Sequence, residues 1–224
     1  MMLQIPDVLN AAQLESVRTL MSKARFVDGK LSAGMAAKQV KNNEELAADA
    51  QELNQLNKLV MGSLVQHPLY QSGALPVRIA VPFYARYSPG MRYGDHVDDP
   101  VMGPPGQRYR SDVSITVFLN DPADYEGGEL VIRTAFGDRQ VKLPAGHAVM
   151  YPSASLHHVA EVTKGERLVA VTWLQSMVRD PAKRELLYEM NTVREKLLKE
   201  QAEMEETKKL DICYANLFRM WAEL

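Results

Sequence analysis

Between residues 77 and 178 the chain passes through seven short runs rich in β-branched and aromatic residues: "VRIAVPFYARY", "SDVSITVFLN", "GELVIRT", "RQVKL", "HAVMYP", "HHVAEV" and "RLVAVTWLQ". Gly, Pro and Asp turns separate them, and no helical period intervenes. Many short strands without helices between them specify a β-sandwich or jelly roll. Residues 77–178 are therefore the expected β-domain.

The flanks change period. Residues 1–76 read as a helical part packed on that core. Asn10 followed by Gln13 forms a capping-box start, and Leu14, Val17, Leu20 and Met21 follow at helical spacing. A loop with Gly29 and Gly34 interrupts. Residues 43–66 resume a helical pattern, which His67-Pro68 ends. Residues 179–224 read as a C-terminal helical extension. Asp180-Pro181 supplies a cap and a proline at the first helical position. Leu210, Tyr214, Leu217, Phe218, Trp221 and Leu224 then form one apolar stripe. Such a stripe is buried either on the protein's own body or in a twofold homodimer, to which the C-terminal helices would contribute.

Composition narrows the function classes. The 224 residues are 46% hydrophobic and 24% charged, enough for a sizeable core without staples. A net charge of −2 offers no surface for nucleic acid or for an anionic membrane. One cysteine, Cys213, excludes a disulfide within the chain and suits a reducing compartment. The N-terminus lacks a basic region followed by an apolar run, and no stretch approaches the roughly 20 apolar residues of a membrane span. The expectation is a soluble cytoplasmic protein.

Chemistry concentrates in "YGDHVDD", residues 93–99. On an extended segment His96 and Asp98 point to the same face. A metal needs a third ligand, and "YPSASLHHVAEVTKGERLVAVTW" offers His157 after a proline-containing turn. Two histidines and one carboxylate make the facial triad of non-haem Fe(II) oxygenases, with positions left open for cosubstrate and oxygen. The neighbouring His158 faces the other way if "TKG" closes a three-residue hairpin. That register pairs Val162 with Glu166 and Glu161 with Arg167, and puts His157, Val159, Glu161 and Arg167 on one face. A one-residue slip would exchange the two histidines. Arg167 then lies four rows from His157, roughly 13 Å at about 3.3 Å per residue. From there a guanidinium could hold the far carboxylate of a five-carbon diacid chelating the metal.

"HVD" at 96–98, "YEGGEL" at 125–130, "LPAGHAVMYPSASLH" at 143–157 and "TKGERLVAVTWLQSMVRD" at 163–180 resemble the bacterial PKHD-type hydroxylases. These are Fe(II)/2-oxoglutarate dioxygenases related to prolyl 4-hydroxylase. The resemblance covers nearly the whole chain. It implies a double-stranded β-helix fold, iron at His96, Asp98 and His157, 2-oxoglutarate at Arg167, and an ascorbate requirement. It also implies hydroxylation with release of succinate and carbon dioxide, on a peptide, a metabolite or a siderophore-related substrate. His158 stands where relatives often carry arginine. Two other readings share the metal residues: a non-redox cupin-type enzyme, and a protein that senses iron or 2-oxoglutarate on the same fold. Among the remaining residues, His147 and His67 read as loop or strand-edge residues. Tyr84, Tyr87 and Tyr93 flank the first ligands, and any one of them could donate to the cosubstrate. Asp95 and Asp99 read as solvated, and Gly127-Gly128 as a turn.

Overall fold

The computed structural model describes residues 1–223, so the Leu224 end of the apolar stripe lies outside the described residues. Strand β1 (Leu3–Ile5) precedes helix α1 (Ala11–Lys23). Then come β2 (Phe26–Asp28), α2 (Ala37–Val40), β3 (Lys41–Asn42), β4 (Glu44–Leu46), α3 (Leu53–Leu64) and α4 (Pro68–Ala74). The central stretch opens with β5 (Pro76–Ile79), β6 (Phe83–Tyr87), β7 (Arg92–His96), β8 (Val101–Met102), β9 (Tyr109–Arg110) and β10 (Val113–Phe118). It continues with β11 (Tyr125–Gly127), β12 (Leu130–Thr134), β13 (Gly137–Val141), β14 (Ala148–Pro152), β15 (His157–Val159), β16 (Val162–Gly165) and β17 (Arg167–Ser176). Helices α5 (Pro181–Glu200) and α6 (Glu205–Trp221) follow. None of these helices is long and apolar enough to cross a membrane.

Two antiparallel sheets face each other as a jelly roll. The larger has the order β1-β14-β10-β17-β6-β4-β2, with β5 also on β17; the smaller runs β13-β12-β15-β7-β3. Strand β17 shows how one sequence serves both faces. Arg167, Val169, Val171 and Trp173 alternate with Leu168, Ala170, Thr172 and Leu174, so the two sets stand on opposite faces of the sheet. Ala170 and Leu174 pack with Val17 and Met21 of α1 and Leu56, Val60 and Leu64 of α3 in an outer cluster. Val169 packs with Phe118, Leu130, Ile132, Val149 and Tyr151 between the sheets. Strand β10 is covered on both sides, and all six of its residues are buried.

The caps read from the sequence are present. The Asn10 side chain accepts from the Gln13 amide, and the Gln13 side chain accepts from the Asn10 amide. The Asp180 carboxylate accepts from the amides of Ala182 and Lys183. His67-Pro68 starts a helix as well as ending one: the His67 ring caps α4 by accepting from the Leu69 amide.

Two expectations fail. Residues 43–66 are not one helical stretch, because Glu44–Leu46 form β4 and only Leu53–Leu64 are helical. The Ala- and Glu-rich sequence favours helix locally, but pairing of β4 with both β2 and β6 overrides propensity. The upstream part as a whole mixes helices with strands that extend both sheets. The expected hairpin across "TKG" is also absent. Val162, Lys164 and Gly165 pair with Gly127, Glu126 and Tyr125 of β11, while Arg167 pairs with Tyr87 of β6. Gly165 does take the left-handed conformation, at φ 72°. It uses it to lie against the Asp124 carbonyl, where a Cβ would come within 2.1 Å of the oxygen.

The C-terminal stripe finds partners inside the chain. Tyr214, Leu217, Phe218 and Trp221 pack against Leu75, Val178 and Leu187.

Candidate active site

Strand β7 delivers His96, and Asp98 follows in the exit from that strand, its amide bonded to the Ser153 carbonyl at 3.3 Å. Strand β15 delivers His157 directly opposite His96. Each imidazole has its Nδ1 close to a backbone carbonyl two residues upstream: Gly94 at 2.8 Å for His96 and Ser155 at 2.9 Å for His157. A carbonyl can only accept, so each Nδ1 carries the proton and each Nε2 presents a lone pair. Both lone pairs face Asp98, whose Oδ1 is 3.9 Å from His96 Nε2 and 3.8 Å from His157 Nε2. The Ser114 hydroxyl donates to the other carboxylate oxygen, and Ser153 Oγ lies 2.8 Å behind it. One ligand atom from each of His96, Asp98 and His157 falls within 4.8 Å of the others.

Aromatic rings fix the imidazoles. Tyr93 stacks on His96 at 3.7 Å between centroids and 12° between planes. Tyr151 meets His157 edge-on at 5.1 Å. Burial, reinforced by the neighbouring His157, pushes the His96 pKa down to about 4. The ring is therefore neutral at physiological pH, the state a metal ligand requires. Two nitrogens and one carboxylate oxygen with this spacing suit a divalent transition metal.

Arg167 enters from the opposite sheet and closes the other end of the cavity. It is 1% exposed, yet its Nε has no hydrogen-bond partner. Its guanidinium stands 5.0 Å from the Tyr87 ring centroid and 5.7 Å from that of Phe118. The Tyr125 hydroxyl is also buried without a partner and feels the Arg167 charge. Gly128 makes room for this arginine. At φ 66°, its Cβ would lie 3.1 Å from the Arg167 Cδ and 3.1 Å from the Tyr125 ring. Gly127-Gly128 is thus part of the site's wall rather than a plain turn. A buried arginine whose Nε–H lacks a partner suits a planar carboxylate.

The structure brings His96, Asp98, His157 and Arg167 into one cavity, with Tyr87 and Tyr93 on its wall. Tyr84 belongs elsewhere: its hydroxyl donates to Asn57 on the outer face of the large sheet. Burial raises the Tyr87 pKa to about 12, so its hydroxyl keeps its proton. His158 points outward and bonds Asp95 through Nδ1 at 2.8 Å. His147 is remote and lies 3.7 Å from Asp7. Arg86 and Arg92 are engaged by Glu44 and Glu161. Sequence reasoning missed Lys41, Asn43 and Glu45, which also line the cavity. Their setting, "VKNNEEL", carries no chemical motif, so only the fold reveals them. The cavity opens past Asp98, Phe83 and Trp173 into an outer cleft of about 720 Å³ walled by Val81, Val97 and Val101.

Comparison with known proteins gives the family and the fold. The family model of the 2OG-Fe(II) oxygenase superfamily matches residues 82–175. That of the PKHD-type hydroxylase C-terminal domain matches residues 181–223. A PKHD-type hydroxylase of Thioalkalivibrio sulfidiphilus is 55% identical over 224 residues, covering 100% of both chains. Among solved structures, a prolyl-4-hydroxylase of Pseudomonas putida superposes with a TM-score of 0.54 at 20% identity, covering 78% of this chain and 92% of that one. A Trichoplax adhaerens prolyl hydroxylase in complex with a hypoxia inducible factor peptide fragment gives 0.55 at 16% identity, covering 83% and 86%. At such identities the structures share the fold with this chain.

Proposed function

The chain belongs to the PKHD-type hydroxylase family, within the 2OG-Fe(II) oxygenases, and we propose that His96, Asp98 and His157 hold its iron while Arg167 holds the far carboxylate of 2-oxoglutarate. The observation that carries this reading is the pairing of a compact His-Asp-His donor set with a buried arginine in one cavity. Bound iron and 2-oxoglutarate supply an oxidant, generated with O2, that hydroxylates a C–H bond and leaves succinate and carbon dioxide.

The protein's own part is positional and electrostatic. Nδ1–H bonds to Gly94 and Ser155 hold both histidines in the tautomer that presents Nε2. Ser114 holds one oxygen of Asp98, leaving the other for the metal. Arg167 offers its unpaired Nε–H to an anion in the cavity, while Val159, Leu130 and Tyr151 line the same cavity with largely apolar surface. The substrate enters by the outer cleft, whose apolar walls and size suit a small molecule or a peptide side chain. A peptide, a metabolite and a siderophore-related compound are the classes to test. A non-redox cupin-type activity would leave Arg167 buried and unpartnered without purpose. Ascorbate is expected to sustain turnover by keeping the iron reduced.

The deciding experiment measures succinate formation against iron, 2-oxoglutarate and O2, with candidate substrates added in turn. Turnover that needs all three and disappears in His157→Ala supports the assignment. Turnover indifferent to iron or to His157 would refute it.

A further inference from the structure

The oxygenase family model begins at residue 82, yet part of the cavity wall comes from upstream. Lys41 lies opposite Tyr93 in the pairing of β3 with β7, and Glu45 lies opposite Ala85 in the pairing of β4 with β6. Residues 41–46 therefore step from the edge strand of the small sheet to β4, which lies between β6 and β2 in the large one. Lys41 and Glu45 are each 7% exposed, and Lys41 Nζ lies 2.5 Å from Glu45 Oε1. The same ammonium reaches Ser32 Oγ at 3.0 Å.

Two charges buried together lose hydration about as costly as their attraction, so a well-packed apolar pair would join the two sheets equally well. The neighbours supply a reason for charge. Lys41 Nζ stands 5.4 Å from the Tyr93 ring centroid, and Tyr93 stacks directly on His96. The ammonium is thus one aromatic ring behind an imidazole assigned to the metal. Lys41 lines both the inner cavity and the outer cleft.

We propose that Lys41 and Glu45 form a charge-balanced pair beside the metal site, whose mutual neutralisation keeps the site's affinity for a divalent cation. The Lys41 ammonium lies against the Tyr93 ring that stacks on His96, and Glu45 cancels the repulsion that this ammonium would exert on a divalent cation. The proposal rests on His96, Asp98 and His157 being the ligands.

Its signature is an asymmetry between the two single variants. Glu45→Gln leaves a cation uncompensated behind His96. A unit charge and a divalent ion separated by roughly one ring and one imidazole interact strongly enough to weaken binding on the order of tenfold or more. Lys41→Met removes the repulsive charge and leaves binding equal or tighter. The double variant Lys41→Met/Glu45→Gln returns to within about threefold of wild type.

The assay is anaerobic Co(II) titration of the full chain, read by the visible absorption of the bound ion, with folding checked by circular dichroism. Equal weakening in both single variants, or no recovery in the double, would overturn the proposal. Where a single variant does not fold, the swap Lys41→Glu/Glu45→Lys takes its place. It keeps the pair neutral, brings the carboxylate behind Tyr93, and is expected to bind Co(II) more tightly than wild type; unchanged affinity would count against the proposal. His96→Ala separates the two levels of inference. Retention of Co(II) there removes the ligand assignment itself, whereas loss there without the Lys41/Glu45 pattern removes only the pair's role.

Discussion

Arg167 makes a demand that most buried residues do not. Its side chain is almost wholly enclosed, its Nε is unpartnered, and its contacts are aromatic faces rather than a carboxylate. Cation–π contact returns about 0.5–2 kcal/mol. Enclosing an unpaired ion costs several kcal/mol. In the ligand-free protein the balance is unfavourable, so Arg167→Leu should leave the ligand-free fold at least as stable as wild type. The same change should remove a charge-assisted, two-pronged contact to 2-oxoglutarate, worth about 2–5 kcal/mol. The dissociation constant then rises roughly 30-fold to several thousand-fold. Thermal unfolding reads both effects in one experiment, with Mn(II) present and O2 excluded. At a ligand concentration 100 times the dissociation constant, wild type gains about 2.7 kcal/mol, several degrees for a chain of this length. Arg167→Leu should show an equal or higher midpoint without 2-oxoglutarate and at most about a third of the wild-type shift with it. Arg167→Lys keeps the charge but loses the fork, and should fall between. A variant that unfolds several degrees early without ligand, or that keeps the full 2-oxoglutarate shift, would refute the reasoning. The first result would make Arg167 a structural residue, and the second would place the cosubstrate elsewhere.

Replacing His96, Asp98 or His157 singly by Ala should lower divalent-metal affinity by at least about tenfold while circular dichroism stays native; His158→Ala, which loses only the outward contact to Asp95, should bind metal as wild type does. The His96 pKa lies near 4 in the fold against 6.5 in an unfolded chain. The unfolded state therefore takes up the proton first, and metal-free stability should be complete above pH 6.5 and fall by up to roughly 3 kcal/mol as the pH drops toward 4. A His96→Asn variant with the same pH slope in thermal melts would exclude this origin. Deleting residues 208–224 strips Tyr214, Leu217, Phe218 and Trp221 from Leu75, Val178 and Leu187, so the midpoint should fall by several degrees. Mass in solution tests the expected homodimer at the same time, and a monomeric full-length chain at micromolar concentration would exclude it.

What the sequence made legible was local. Alternation within "HHV" and within "RLVAVTW" sorts inward from outward residues on each strand, since neighbours on a strand point to opposite faces whatever the strand pairs with. His96 and Asp98 were readable for the same reason. The segment 41–46 was not, because nothing in "KNNEEL" marks it as a strand: its extended form comes from partners that are distant in sequence. Tertiary pairing of that kind leaves no periodic trace in so short a run.

The hairpin shows how a wrong connection can still group residues that share one cavity. Parity along one continuous hairpin put His157 and Arg167 on a common face, about four rows apart. The two residues instead sit on opposite sheets, His157 paired with His96 and Arg167 paired with Tyr87. Both point into the space between the sheets, so they share a cavity without sharing a strand pair. Strand β16 makes the difference by leaving the β15 line to pair with β11, which carries the chain across to β17. The crossing depends on Gly127 and Gly165, each in a left-handed conformation that brings its Cα against a carbonyl of the facing segment. An alanine at either position would set a Cβ about 2 Å from that oxygen. The glycines that looked like ordinary turn residues are what let the arginine strand cross over. They place the Arg167 guanidinium at the closed end of the cavity, opposite the histidines, where a diacid between the two would bridge the sheets.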